Sequence, residues 1–287
     1  MITLEHLEKY FTIDETTGNL TFKDPKGVIP GFKLIFVQGG EFKSCDGKTI
    51  KLSSFYIAEF QLTQEIYIAV TGKKNPSRFQ GINHPVEQVS WFDAVDFCNV
   101  FNSKIGLPPV CDKDYNFLDI NGEKTDIANV EGFRLPTDAE WEYAARGGIK
   151  RRDTPKGDPA YQYAGSFNIE HVGWCYKNSG RETKPVGLKL PNELEIYDMS
   201  GNVWEWCWDL WEADFFKNSA RTNPVNIRNG SGRVLRGGSW SQDSVSSRAA
   251  YRGNYSPDDS SSLYGFRLSL GLHSTSEPSK SSQEKSQ

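Results

Sequence analysis

The sequence predicts a mixed α+β fold that is rich in loops and has two main helices. Two stretches, near residues 90–105 and 137–147, carry the capping and spacing signals of helices. Strand-like runs lie between residues 32 and 60, whereas the chain beyond residue 150 consists mostly of turns, short tryptophan-rich segments and glycine pairs. Because loops of that length need a scaffold, and 287 residues with eight tryptophans can bury a sizeable core, we expect one large domain.

The first 31 residues are predicted to form a leader with a short helix and a hairpin. Residues 2–11 place apolar side chains at the spacing of an amphipathic helix, and the run "FTIDETTGNLTF" has hairpin turn residues at its centre. The composition changes after "DPKGVIPG", and we place the main domain at residues 32–272. The tail, residues 273–287, has no large apolar side chain and is expected to be disordered.

Both main helices have start and stop signals. Ser90 is placed to cap the first helix, which Gly106 ends. Thr137 is predicted to cap the second helix, with Glu140 completing a capping box and Gly147 ending the helix. The buried side of the first helix is expected to carry Ala94, Val95, Cys98 and Phe101.

Charge and hydropathy argue against several classes of protein. The formal net charge is −4, so composition indicates neither a nucleic-acid-binding face nor a polybasic membrane patch. No run of 18 apolar residues occurs, and the start "MITLEHLEKYF" lacks the basic region and apolar core of a signal peptide. We expect a soluble chain with no nucleic-acid partner.

The five cysteines are scattered and odd in number, and no CxxC or CxxH spacing indicates a zinc site. Cys98 and Cys207 lie inside apolar runs, where a buried, unreactive thiol is the simpler interpretation. A disulfide among the other three stays open.

Five segments of the chain carry a resemblance. They are "NPSRFQGINHPVEQVSWFDAVDFCNVFNSKIGLP", "FRLPTDAEWEYAARGG", "YDMSGNVWEWCWD", "RVLRGGSW" and "YGFRLS". In this order they resemble the formylglycine-generating-enzyme (sulfatase-modifying factor) family, a specialised version of the C-type lectin fold. Loops without regular hydrogen-bond partners need buried aromatic rings and arginine donors to hold them. The predicted framework residues are Trp141, Trp204, Trp206, Trp240, Arg134, Arg236 and Arg267.

The resemblance does not extend to the family's oxidase chemistry. Its enzymes resemble one another in a copper-binding cysteine pair, whose positions here are Gln242 and Ser247. An amide and a hydroxyl cannot supply the thiolates that Cu(I) needs. Iron-dependent relatives use histidines, and His84 and His171 are read as hydrogen-bonded loop residues, although a two-histidine site stays open. We expect no catalytic residue and no catalytic cofactor, with a metal-dependent oxidase of the formylglycine-generating or sulfoxide-synthase type as the alternative.

The resemblance also implies a structural calcium ion at "YDMSGNVWEW". Its ligands would be side-chain oxygens of Asp198 and Glu205 and the carbonyls of Gly201 and Val203, which are the oxygen donors that a hard cation prefers. In the alternative interpretation, Asp198 caps a turn and Glu205 pairs with a nearby arginine.

Residues 241–264 have an unusual composition, with no Lys, Glu, Met or Trp. Randomising the two adenines of AAY codons yields only NNY codons, which cannot encode these residues or Gln. Only Gln242 departs from that pattern. Such variation between a "GGSW" start and a "GFR" end resembles the variable proteins of diversity-generating retroelements, which display varied side chains on a fixed frame.

The predicted function is therefore ligand binding through this variable segment. Arg248 and Arg252 are interpreted as framework donors, and the alternative is a serine-rich surface loop with no partner. A sugar-binding lectin is disfavoured because no Glu-Pro-Asn or Gln-Pro-Asp motif appears. The predicted binding residues are Ser246, Ser247, Tyr251, Gly253, Asn254, Tyr255, Ser256, Asp259, Ser261, Ser262 and Tyr264.

The resemblance also implies where the protein acts. Variable proteins of the binding type are exported and lipid-anchored at the cell surface, by a leader that this sequence would lack. We expect a monomer that contacts a membrane only through such an anchor and binds an unknown protein or cell-surface ligand.

Overall fold

The computed structural model of the protein describes residues 8–119, 121–150 and 161–271. The helices and strands in these ranges are short and are joined by long loops. The helices are α1 (Gln64–Thr71), α2 (Trp91–Lys104), α3 (Asp138–Ala145), α4 (Ile169–Val172) and α5 (Phe215–Asn218). The strands are β1 (Phe11–Ile13), β2 (Leu20–Phe22), β3 (Phe32–Val37), β4 (Gly40–Lys43), β5 (Thr49–Leu52), β6 (Phe55–Ala58), β7 (Phe133–Arg134), β8 (Trp204–Leu210), β9 (Arg233–Arg236), β10 (Arg252–Tyr255), β11 (Tyr264–Gly265) and β12 (Ser269–Gly271).

The described strands form three sheets. The largest has six strands in the order β1-β2-β3-β6-β12-β7, and all its pairs are antiparallel. The second has the order β10-β9-β8-β11, with β11 parallel to β8. Strands β4 and β5 form a separate hairpin. The second sheet carries the middle and the end of the segment predicted to vary, because β10 lies within that segment and β11 begins at its last residue.

The predicted N-terminal hairpin is present and belongs to the main domain. Strands β1 and β2 pair with each other, and β2 continues the six-stranded sheet by pairing Leu20 with Leu34 of β3. Phe11 and Phe22 are buried in the same core as helix α2. A boundary at residue 32 therefore does not separate two packing units. Residues 8–10 are helical, whereas the rest of the predicted first helix and the tail lie outside the described residues.

The two main helices form as predicted, each with a complete capping box. In α2 the pair is Ser90 and Asp93, and in α3 it is Thr137 and Glu140. Helix α1 was not predicted, although Thr63 caps its start and Gly72, with φ of +66°, ends it. Its signals are thus local, and the sequence analysis overlooked them.

The chain beyond residue 150 is mostly loops, as predicted, but it also contributes the strands of the second sheet. Strand β8 is the longest in the described chain, and its first six residues are all buried. The run "WEWCWDL" alternates tryptophan and leucine with Glu205, Cys207 and Asp209, so the period of a strand is visible in the sequence although both of its faces are buried.

All seven predicted framework residues are buried. Arg236, Arg267, Trp141 and Trp206 have no exposed surface, and Arg134 is 2% exposed. Arg134 makes a bidentate ion pair with Glu140, with nitrogen–oxygen distances of 2.7 and 2.8 Å. Among the described residues, no helix is long and apolar enough to cross a bilayer.

Candidate functional site

The start of the variable segment is held by Arg236, the last residue of β9. Its guanidinium donates to the buried carboxylates of Asp138, at 2.5 Å, and Glu142, at 2.8 Å. It also donates to the carbonyls of Ala249 and Tyr251, at 3.1 and 3.0 Å. One buried side chain thus connects helix α3 to the backbone of the segment.

The chain just after the segment is held by a second buried arginine, Arg267. This guanidinium binds both carboxylate oxygens of Glu205, at 2.6 and 2.8 Å, and donates to the carbonyls of Ala58 and Tyr197. The indole of Trp141 donates to Glu205 as well, at 2.7 Å. The pairing of Glu205 with an arginine is the alternative that the sequence analysis left open for this residue.

Arg252 fastens the segment from within, as predicted. It donates to the second oxygen of Asp138, at 2.7 Å, and to the carbonyl of Glu212, at 3.0 Å. Arg248 differs because it is exposed, and its guanidinium lies against the side-chain amide of Gln162. Only Arg252 of the two is therefore a buried framework donor.

Strand β10 turns alternate side chains of the segment toward one face. Tyr251 and Tyr255 are 39% and 46% exposed, and Gly253 lies between them. A Cβ atom at Gly253 would lie 3.2 Å from the indole of Trp204, whose ring centroid is 6.0 Å from that of Tyr251. The two exposed tyrosines therefore stand over a buried tryptophan floor with a gap between them.

Tyr264 belongs to this floor and does not reach the solvent. It is only 5% exposed, and its ring lies 4.9 Å from that of Tyr255 and 5.5 Å from that of Trp206. Burial, together with a hydrogen bond to Tyr255, raises the pKa of Tyr264 well above its usual range. Its hydroxyl thus stays protonated in this position, where it supports the exposed Tyr255.

The loop between β10 and β11 is fixed through its backbone. Gln88 donates its N–H to the carbonyl of Ser261 at 2.9 Å, and the indole of Trp240 donates to the carbonyl of Ser262 at 2.8 Å. Neither bond depends on the loop's own side chains. Ser256 and Asp259 in this loop are exposed. The arrangement allows side chains here to change without loss of these bonds.

Nine of the eleven predicted binding residues retain some exposure, and two are corrected. Ser247 has no exposed surface and packs so closely on Gly238 that a Cβ atom there would lie 2.5 Å from its hydroxyl oxygen. Tyr264 is buried as described above. We call the nine remaining residues the tyrosine face: Ser246, Tyr251, Gly253, Asn254, Tyr255, Ser256, Asp259, Ser261 and Ser262.

The positions that correspond to the family's copper ligands carry an amide and a hydroxyl. The backbone carbonyl of Gln242 accepts a bond from the N–H of Tyr176, and its side-chain oxygen is buried without a partner among the described residues. His84 bonds to the Thr183 hydroxyl at 2.9 Å, and His171 lies 3.4 Å from the Asn168 amide. His84 is thus a hydrogen-bonded loop residue, as predicted, whereas His171 lies in helix α4 and not in a loop.

The wider chain offers no further chelating cluster. In the part that the structure describes, no group of three or more His, Cys, Asp or Glu side chains is placed to hold a metal ion. All five cysteines are free thiols, so the disulfide that the sequence left open does not form. Burial raises the pKa of the half-buried Cys45 to about 12, so this thiol is a poor nucleophile.

The predicted calcium ligands are already engaged by protein groups. The carbonyls of Gly201 and Val203 and one oxygen of Glu205 accept from the side-chain amide of Gln61. One oxygen of Asp198 accepts from the N–H of Gly187 at 2.7 Å, and burial raises the pKa of this carboxyl to about 6. With Gln61 in place, these residues do not fit a calcium ion.

Glu87 is connected to the loop between β10 and β11 through Phe79 and Trp240, and the pKa of its carboxyl is raised. Its carboxylate is fully buried and accepts from the N–H of Phe79 at 2.8 Å, and the Phe79 ring packs edge-on against Trp240. The second oxygen has no partner among the described groups. Burial raises the pKa of Glu87 to about 7.

We expect Glu87→Gln to flatten the pH dependence of stability. The folded state binds this proton more tightly than the unfolded state, whose pKa is near 4.5, so the contribution of Glu87 to stability falls as the pH rises from about 4.5 to 7. The variant should gain about 1 to 3 kcal/mol relative to the parent between pH 5 and pH 8. Urea unfolding at both pH values measures this, with the exposed Glu123→Gln as control. If the free energy of unfolding changed by the same amount between pH 5 and pH 8 in all three proteins, the burial argument would be contradicted.

Comparison with known proteins places this geometry in context. A family model described as the sulfatase-modifying factor enzyme 1-like domain matches residues 20–270. The chain is 35% identical over 283 residues to chaperone protein LppX of Paenibacillus barcinonensis, covering 88% of this chain and 91% of that protein. It is 34% identical over 204 residues to the formylglycine-generating enzyme of Streptomyces coelicolor, covering 68% of this chain but only 55% of the enzyme.

Two solved structures resemble the fold closely. Treponema denticola variable protein 1 superposes with a TM-score of 0.73 at 31% identity, covering 88% of this chain and 99% of that one. The structure of CarF superposes with a TM-score of 0.63 at 28% identity, covering 84% of this chain and 98% of that one. The fold is therefore the predicted α+β fold of the C-type lectin type.

Proposed function

Because the chain belongs to the sulfatase-modifying factor enzyme 1-like family, we propose that it uses the family's scaffold to bind a ligand and not to catalyse a reaction. The ligand would contact the tyrosine face. The observation that carries the proposal is the contrast between two exposed tyrosines, Tyr251 and Tyr255, and the fully buried arginines that hold the segment around them, Arg236 and Arg267.

The chemistry of the face suits recognition. Tyrosines provide large amphipathic contact area at a low cost in rotamer entropy, and small polar residues such as Asn254 and Ser256 adapt their hydrogen bonds to a partner. The likeness to a variable protein of Treponema denticola supports the same interpretation. We infer that the side chains of the tyrosine face vary between copies of the gene, while the buried frame does not.

Loss of the oxidase ligands supports a binding role further. Gln242 and Ser247 occupy the positions of the copper-binding cysteines in the related enzymes, and Ser247 is fully buried. Neither side chain provides a thiolate. The likeness to formylglycine-generating enzymes keeps an oxidase as the competing function, which metal analysis and a turnover assay decide.

We propose that the partner is a protein exposed at a cell surface. A face with two large rings and short polar side chains resembles the composition of antibody-like binding sites for proteins. The similar Paenibacillus protein is named a chaperone, a kind of protein that acts on other proteins. We also propose that the protein is exported with a lipid anchor, which cell fractionation tests. We propose that it is a monomer, which light scattering tests.

Sibling copies of the gene provide the direct test. We expect their differences to fall within codons 241–264, to be of the NNY type, and to concentrate at the tyrosine face. Arg236, Arg252 and Arg267 should be identical in every copy, because each makes several hydrogen bonds that fix the segment or the chain just after it. Sequencing several strains measures this. Differences spread evenly along the chain would contradict the proposal.

The purified protein tests the competing enzyme. Elemental analysis should find copper and iron far below one equivalent, and a cysteine-containing sulfatase peptide should remain unmodified by mass spectrometry. A stoichiometric redox metal together with conversion of the peptide would establish the oxidase instead.

A further inference from the structure

One buried glutamine stands at the centre of a ring of oxygen atoms. Gln61 is 1% exposed, and its side-chain nitrogen lies 3.2 Å from the carbonyl oxygen of Asp198, 3.3 Å from that of Gly201 and 3.0 Å from that of Val203. A carboxylate oxygen of Glu205 completes the ring at 3.0 Å. Three of these four oxygens belong to the predicted calcium ligands.

The number of acceptors around this nitrogen exceeds what an amide normally serves. A primary amide has two hydrogens, so it forms two good hydrogen bonds, whereas the ring offers four acceptors. Carbonyls and a carboxylate that converge on one point are the donor set of a hard cation. However, calcium ligands lie at about 2.3 to 2.6 Å, well inside the distances seen here. The ring is therefore wide enough for a nitrogen atom and too wide for a bound calcium ion.

The charges around the ring point the same way. Glu205 is already neutralised by Arg267, which contacts both of its oxygens, and it accepts a further bond from the indole of Trp141. Asp198 directs one oxygen to the N–H of Gly187, and its other oxygen is buried without a partner among the described residues. With Glu205 paired, Asp198 is the one predicted ligand whose charge no cation contacts, and a single carboxylate offsets little of the cost of desolvating a divalent ion. The amide of Gln61 is neutral overall, but its NH2 hydrogens carry partial positive charge and can face the oxygens of the ring.

We propose that the side-chain amide of Gln61 replaces the cation that related proteins bind in this loop, so that the fold of this protein needs no calcium. The inference does not depend on the ligand-binding function. In this proposal the Gln61 side chain connects the loop 198–203 to the chain that follows β6 of the six-stranded sheet. Since Trp204 follows directly and forms the floor under Gly253, a protein group would maintain the tyrosine face with or without calcium.

The wild-type protein decides the proposal by itself. After purification without chelator, elemental analysis should find far less than one equivalent of calcium. Thermal unfolding in EDTA and in millimolar calcium should give the same Tm within about 1 °C, since a ligand stabilises only a state that binds it. Stoichiometric calcium, or a clear fall of Tm in EDTA, would overturn the proposal.

Two substitutions at position 61 sharpen the test. Gln61→Met keeps the length of the side chain but removes both donors, and should lower Tm by about 5 °C or more because the ring loses its partner. Gln61→Glu adds a carboxylate to the ring, and its Tm should fall in EDTA and recover in calcium. A Gln61→Glu protein that melts like the wild type, or that does not respond to calcium, would contradict the inference.

Gln64 provides a matched control three residues away. It is also fully buried, and its amide donates to the carbonyls of Phe79 and Pro85 at 2.8 and 3.2 Å. Gln64→Glu should lower Tm for the same loss of donors, but calcium should not restore it, because those carbonyls do not converge on a ring of four. Recovery of both variants in calcium would mean that the effect is not specific to Gln61, and would also overturn the inference.

Discussion

Replacing Arg236 by methionine is expected to lower the free energy of unfolding by about 3 to 5 kcal/mol, the range for breaking a buried ion pair by removing one partner. Methionine fills much of the same volume but has no donor. The substitution leaves the carboxylates of Asp138 and Glu142 without their shared guanidinium, and both have no exposed surface. It also leaves the carbonyls of Ala249 and Tyr251 without these bonds.

Other arginines limit this loss without preventing it. Arg252 still pairs with one oxygen of Asp138, and Arg146 still pairs with one oxygen of Glu142. The unpaired oxygens stay buried, and water does not reach them without opening the segment. We therefore expect the free energy to be lost largely through local loosening of residues 249–251, which hydrogen exchange would detect.

Urea unfolding measures the effect of Arg236→Met, and Arg221→Met is its control. Arg221 pairs with Glu41 at 2.7 Å, but their side chains are 64% and 45% exposed. An exposed pair of this kind contributes about 1 kcal/mol at most. If the two variants were equally stable, burial would not be what makes Arg236 important, and the frame would have to be explained differently.

Gly201→Ala should destabilise the protein by about 3 kcal/mol or more, since it combines a strained backbone angle with a collision. Gly201 has φ of +93°, and a Cβ atom there would lie 2.1 Å from the carbonyl oxygen of Trp174. That carbonyl cannot move easily, because it accepts a bond from the N–H of Asn202. The loop would have to open at the ring around Gln61, because the Gly201 carbonyl belongs to that ring.

Gly47→Ala separates the two effects. Gly47 has φ of +79°, but no atom lies within 4 Å of a Cβ placed there. Strain alone should then cost about 1 kcal/mol. Calorimetry on both variants gives the comparison, and a loss at Gly201 no larger than that at Gly47 would show that the Trp174 carbonyl yields without difficulty.

Local signals predicted the parts of the fold that depend on near neighbours. The capping boxes of α2 and α3 involve residues three positions apart, so they are visible in the sequence. The hairpin of β1 and β2 is equally local. Strand β8 was missed although "WEWCWDL" alternates tryptophan with Glu, Cys and Asp, because its partners β9 and β11 lie far along the chain and leave no hairpin signal beside it.

The binding surface was predicted in part, for the same reason. The composition of residues 241–264 indicated a segment that tolerates change, and Tyr251 and Tyr255 are exposed as a binding role requires. The burial of Ser247 and Tyr264 was not predictable, because the residues that cover them lie outside the segment. Gly238 packs on Ser247, and Trp206 packs on Tyr264. Asp138 was also missed, since its arginine partners lie 98 and 114 residues further along the chain.

The sequence by itself determined the family, the two capped helices and the absence of thiols at the positions of the copper ligands, because each of these is a matter of residue identity and short spacing. Only the tertiary structure decided which side chains of the segment reach the solvent, and that an amide stands where a cation was expected. Gln61 meets its acceptors across 137 to 144 residues of chain, and contacts of that range form only when the whole core closes around them.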